Sequence, residues 1–151
     1  MQLLVYTDYA LRVLLYAGSH AGAPIPSSAI AEAYGISVDH VVKAAKALTA
    51  AGLLRATRGA GGGVELARAP SEIRIGAVVR LFEGARGPVA CLRESEDPCK
   101  IEPACRLRGA FQRAEEAFFR ELDGYSLADL LENGPRLVRL LRSPGPRSAR
   151  P

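Results

Sequence analysis

The stretch SSAIAEAYGISVDHVVKAAKALTAAGLLRATRGAGGGVELAR, residues 27–68, restricts the fold more than any other part of this chain. Pro26-Ser27-Ser28 opens a short helix over 29–34, which Gly35 is placed to end. Ser37 caps a second helix over about 38–50, closed by Gly52, with Val41, Val42, Ala45, Leu48 and Ala51 on one face. Only Tyr34-Gly35-Ile36-Ser37 joins the two, a turn short enough to set them at a steep angle. Two strand-like runs follow, LLRATR and GVELAR, around a tip of Gly59-Ala60-Gly61-Gly62-Gly63. Glycine there permits the positive φ of a tight turn and a close backbone approach to a partner.

The flanks extend this plan. Thr7 is placed to cap a first helix carrying Leu11, Leu14 and Leu15 on its apolar face. After the break at Pro70-Ser71, IRIGAVVRLFEG reads as a short strand passing into a helix over 76–83, ended by Gly84. A long helix over 105–123 has Leu107, Phe111, Ala114, Phe118 and Leu122 on one stripe. Ser126 caps a helix over 127–132, Gly134-Pro135 breaks it, and 136–141 form a last turn. The predicted fold is mainly α with a small β-hairpin: a winged helix-turn-helix over 1–84, a polar loop over 85–104, a dimerisation helix and C-terminal helices over 105–141, and a disordered tail over 142–151.

The order helix, helix, capped helix, Gly-tipped hairpin points to double-stranded DNA. The second helix of such a motif meets base edges with its N-terminal residues. Ser28, Ser37, His40, Lys43 and Lys46 are the candidates there, and both lysines can neutralise phosphates. Arg58 and Gly59 stand at the hairpin tip, where a guanidinium can enter a minor groove. Net charge adds little: of 20 basic residues, five arginines lie in 136–151, and the 15 others face 16 acids.

All three cysteines, Cys91, Cys99 and Cys105, lie in ACLRESEDPCKIEPACRL, spaced C-x7-C-x5-C. No stretch is apolar enough to span a membrane, and no secretory signal pattern opens the chain, so a cytoplasmic, reducing location is expected. Clustered thiols in that setting more often bind metal than pair as disulfides. The spacing lacks the CxxC pairs of zinc ribbons and leaves a tetrahedral ion one ligand short. An iron–sulfur cluster tolerates three thiolates and a different fourth ligand, and Cys105 opens a helix whose N-terminus stabilises negative charge. Zinc and redox thiols remain as alternatives on the residues alone. With two histidines and no nucleophile–base–acid set, an enzyme is not expected.

The segments YTDYALRVLLYA (6–17), YGISVDHVVKAAKALTAAGLLRATRGAGGGVEL (34–66), IRIGAVVRLFEG (73–84), PACRL (103–107) and ELDGYSLADLL (121–131) resemble the winged-helix iron–sulfur regulators that include IscR and NsrR, the NsrR type most closely. The resemblance implies a homodimeric repressor on a palindromic operator, with nitric oxide as effector. It implies a cluster, 4Fe–4S in preference to 2Fe–2S, on the three cysteines. Asp8 of the other subunit is then the fourth ligand, and Arg12, one turn on, orients or neutralises Asp8. Two departures stand out. IscR-type proteins place a histidine three residues after the last cysteine, where this chain has Arg108, and the seven-residue first spacing is longer than in NsrR-like loops. A regulator sensing cluster supply or redox state is the nearest alternative. A small iron–sulfur electron carrier is the other, and it has no need of a capped recognition helix or a wing.

Overall fold

The computed structural model describes residues 3–20, 22–59, 61–84, 89, 92 and 99–142. Along the chain come α1 (Val5–Ser19), α2 (Ser27–Tyr34), α3 (Val38–Ala50), β1 (Leu54–Thr57), β2 (Gly63–Leu66), α4 (Ile75–Glu83), α5 (Arg106–Asp123), α6 (Leu127–Leu130) and α7 (Gly134–Arg142). Two 3-10 turns, Pro70–Glu72 and Glu102–Ala104, lead into α4 and α5. The fold is mainly helical with a two-stranded antiparallel hairpin, as the sequence predicts.

The helix-turn-helix forms as expected. Gly35 ends α2 in the left-handed region at φ 62°, and its amide reaches back to Ala31 and Glu32 carbonyls. Ser37 caps α3, its hydroxyl accepting from the Asp39 amide at 3.3 Å. The buried face of α3 is Val41, Ala44, Ala45 and Leu48, so the burial stripe is turned slightly from the predicted one and Val42 sits at its edge. In α1 the buried apolar residues are Ala10, Val13, Leu14 and Ala17, while Leu11 and Leu15 only flank the core. The hairpin pairs Leu54 with Leu66 and Thr57 with Gly63. Ile25 adds a one-residue bridge to Val64, so the wing is anchored to the strand-like entry of α2.

Four expectations are corrected. Thr7 does not cap α1: the helix starts two residues earlier, and Thr7 is fully buried inside it. Its hydroxyl donates to the Glu83 carboxylate, which also accepts the Leu4 amide at 2.9 Å, so the α1 terminus is capped from α4. The strand before α4 shrinks to a single bridge between Arg74 and Ser126, because α6 begins at the next residue and gives the ladder no partner. Helix α6 stops at Leu130. Gly134-Pro135 opens a helix rather than breaking one, since proline in a first turn lacks only an N–H that has no helical partner. The 142–151 tail, apart from Arg142 at the end of α7, lies outside the described residues.

One core joins both ends of the chain. Leu127 of α6 is 1% exposed and packs in the same cluster as Leu14, Ile30, Leu48, Ile73 and Val79. The α6 cap fixes it there: Ser126 and Asp129 exchange backbone and side-chain hydrogen bonds in a capping box. Leu127→Ala should therefore lower stability by about 2–5 kcal/mol, read as the midpoint of urea unfolding. An unchanged midpoint would show that α6 is not part of the core. Helix α5 differs in kind. It buries no residue fully; Phe118, Phe119 and Leu122 touch the core, and Leu107 at its other end is 61% exposed. Arg80 of α4 holds it through two 2.7 Å bonds to the Asp123 carboxylate, with the guanidinium 4.7 Å above the Phe119 ring.

Candidate nucleic-acid interface and thiol site

The recognition helix has one exposed face beside its buried one. Ser37, His40, Lys43 and Lys46 are all exposed on α3, and Ser28 is exposed in the first turn of α2. Arg58 and Gly59 are exposed beyond the end of β1. Between α3 and the hairpin lies an open cleft of about 320 Å³. Ser27, Lys46, Thr49 and Thr57 supply its polar lining. The predicted contact residues thus occur on α3, the start of α2 and the wing, the three parts of such a module that can meet a duplex.

Two side chains sequence reasoning did not single out tie α3 to α1. Tyr6 donates its hydroxyl to the Lys43 carbonyl at 2.6 Å, and the Lys43 ammonium lies 5.1 Å above the Tyr6 ring. Tyr9 stacks on His40 at 5.1 Å with 23° between the rings. The His40 ring therefore has a structural neighbour as well as an exposed edge. Tyrosines one turn apart are a usual sign of a helix face, and nothing in the sequence says which helix that face meets.

Asp8 sits between these two tyrosines. Its carboxylate accepts from Arg12 Nε at 2.8 Å, the i, i+4 pairing expected from the sequence. Both side chains keep substantial exposure, 48% for Asp8 and 38% for Arg12. The Arg12 guanidinium also lies 5.4 Å above the Tyr34 ring, at the start of the turn between α2 and α3. Burial pushes the Tyr34 phenol up to about 12 against the opposing pull of Arg12, so it stays neutral. Asp8 and the turn of the helix-turn-helix are thus joined through one guanidinium.

Glu83 is the other residue the sequence did not announce. It ends α4, immediately before the cysteine segment, and caps the helix that carries Asp8. A signal was present: a carboxylate in the last turn of a helix opposes the helix dipole unless another group uses it.

Of the cysteines, Cys91 lies outside the described residues. Cys99 and Cys105 are free thiols, the first exposed and the second half-buried. They bracket the turn Lys100 to Ala104: the Cys99 carbonyl accepts from the Glu102 amide at 2.9 Å, and the Cys105 amide donates to the Glu102 carbonyl at 3.2 Å. Cys105 is the N-cap of α5. Arg108, one turn on, donates to the Glu102 carboxylate, while its Nε–H is buried without any acceptor. Among the described residues no three potential ligands converge within one subunit. A soft thiol at the α5 N-terminus, one turn before an Arg108 Nε–H that lacks an acceptor, suits an anionic thiolate-bound cluster and does not suit a hard, oxygen-seeking cation.

A capped recognition helix, a glycine-tipped wing and an exposed basic edge define a winged helix-turn-helix DNA-binding protein. The chain belongs to the Rrf2 family: the family model, described as iron-dependent transcriptional regulator, matches residues 3–133. The family consists of regulators that bind DNA as dimers. Similar solved structures include T. potens IscR, at 25% identity over 88% of each chain with a TM-score of 0.70. CymR, the global cysteine regulator of B. subtilis, is 28% identical over 88% of this chain and 98% of that one, with a TM-score of 0.62. The oxidized form of Staphylococcus aureus CymR is 28% identical over 87% and 97%, with a TM-score of 0.70. Among the described residues no helix is long and apolar enough to cross a membrane.

DNA affinity gives a direct check on α3. Lys46→Ala should weaken binding about equally on different duplexes and lower the slope of log affinity against log salt by about 1. Discrimination that changes from one duplex to another would make Lys46 a base reader instead.

Proposed function

We propose that this protein is a homodimeric repressor whose operator binding is governed by an iron–sulfur cluster, 4Fe–4S in preference to 2Fe–2S, that responds to nitric oxide. Cys91, Cys99 and Cys105 of one subunit hold the cluster, and Asp8 of the other supplies the oxygen ligand. A bound cluster supplies iron that a small gas can ligate. What the chain contributes is the connection to DNA. The observation that carries the reading is the place of Asp8, between Tyr6 and Tyr9, the two residues that grip α3 at Lys43 and His40.

An Asp8 tied to the partner subunit holds the first turn of α1 and, through the tyrosines, sets where α3 stands. Releasing Asp8 returns it to Arg12 alone, and α3 is freed with it. A dimer reads half-sites about one helical turn apart, so a small rotation of either α3 spoils the fit. The test is operator affinity of the anaerobically purified protein before and after stoichiometric nitric oxide, repeated on Asp8→Ala. Affinity that nitric oxide leaves unchanged sinks the proposal.

The likeness to CymR, no smaller than that to IscR, favours a second reading in which Cys99 and Cys105 act as redox thiols without iron. Iron and sulfide analysis of protein purified without oxygen separates the two.

A further inference from the structure

Arg108 is the one described residue with a buried side-chain polar atom that has no hydrogen-bond partner: its Nε–H finds no acceptor. The rest of the guanidinium is well placed. It donates to the Glu102 carboxylate and so closes the turn that separates Cys99 from Cys105. Arg108 follows Cys105 by one helical turn, so the two side chains leave the same face of the α5 N-terminus. The side chain as a whole keeps 40% exposure, so what is buried is the Nε–H itself; a buried donor without an acceptor is unfavourable, and native structures rarely leave one unless a ligand or ion completes it. Among the described residues, the thiols Cys99 and Cys105 bracket this turn, and a thiolate at either end would present a negative acceptor near the guanidinium.

We infer that Arg108 donates its Nε–H to a sulfur of the cluster site, the Cys105 thiolate or an inorganic sulfide, and so retains the cluster and raises its reduction potential. The inference rests on the cluster reading proposed above. Hydrogen bonds to cluster sulfurs and nearby positive charge stabilise the reduced, more negative state, so removing them lowers the potential. Glu102 has the separate task of holding the guanidinium against the turn.

The experiment uses the full chain reconstituted anaerobically with ferrous iron and sulfide. Midpoint potential and the rate of cluster loss to EDTA are measured for wild type, Arg108→Gln, Arg108→Lys and Glu102→Gln, with thermal melting of each apo form as a check on folding. The expected result is a lower potential for Arg108→Gln and loss to chelator faster on the order of 10-fold. Arg108→Lys, which keeps the charge and loses the Nε–H, should fall between, and Glu102→Gln, whose amide oxygen can still accept from the guanidinium, should shift less than Arg108→Gln. An Arg108→Gln protein with wild-type potential and retention overturns the inference and leaves the cluster reading standing. A Glu102→Gln protein shifted as far as Arg108→Gln also overturns it, by reducing Arg108 to a clamp for the turn. A wild-type chain that assembles no cluster, or Cys99→Ser and Cys105→Ser variants that assemble one equally well, removes the cluster reading itself.

Discussion

Cys105→Ser is expected to leave the winged helix folded and to abolish regulated operator binding, with a loss of affinity on the order of 100-fold. Cys105 is the N-cap residue of α5, makes no side-chain capping bond and lies outside the buried core, and serine preserves the backbone bond to Glu102. What serine cannot supply is a soft thiolate at a helix N-terminus, the ligand type iron–sulfur chemistry requires. The variant should therefore melt like the wild-type apo-protein, contain little iron, and bind the operator weakly whether or not nitric oxide is added. Cys99→Ser should behave alike. Fluorescence anisotropy under argon, with iron analysis on the same samples, reads all three properties. A Cys105→Ser protein that still binds tightly and still responds to nitric oxide excludes this cysteine from sensing.

Gly63→Ala is expected to open the base of the wing. An added Cβ would stand 2.3 Å from both the carbonyl carbon and oxygen of Ile25 and 2.7 Å from its nitrogen. All three are backbone atoms, so no side chain can swing away to make room. The two 2.9 Å bonds between Ile25 and Val64 must break or stretch. Their loss, at about 1 kcal/mol each, adds to overpacking strain of about 1–3 kcal/mol. Gly59→Ala makes the contrast. Gly59 has φ 96° and open space around it, so its penalty is only conformational, about 1–2 kcal/mol. Urea unfolding and operator binding should both rank Gly63→Ala as much the worse. Equal effects would mean the Ile25 bridge does not anchor the wing.

These glycines show where sequence reading reached and where it stopped. GAGGG marked a tip, where Gly59 and Gly61 have positive φ, and suggested a close backbone approach to a partner; the approach the structure shows is within the chain, to Ile25. The run did not say that the first glycines serve turn geometry while Gly63 serves the approach of Ile25, a residue 38 positions earlier. The helix-turn-helix was legible because its signals are local: a left-handed Gly35, a Ser37 cap and a 3.6-residue apolar period. The α1 start was misplaced because its cap comes from Glu83, 76 positions beyond Thr7. The Asp8–Arg12 pair was legible for the same local reason as the caps, an i, i+4 spacing on one helix.

The sequence by itself determined the elements and their chemistry: which segments are helical, where the wing lies, and that three thiols share one loop. Each of these depends on residues within a turn or two of each other, where spacing along the chain equals spacing in the fold. Only the tertiary structure decided the connections. Tyr6 and Tyr9 meet the recognition helix, Arg12 reaches the turn at Tyr34, and Leu127 returns from the far end of the chain to fill the same core. Such contacts arise from how amphipathic faces pack once formed. A face announces that it will be buried; it does not announce its partner.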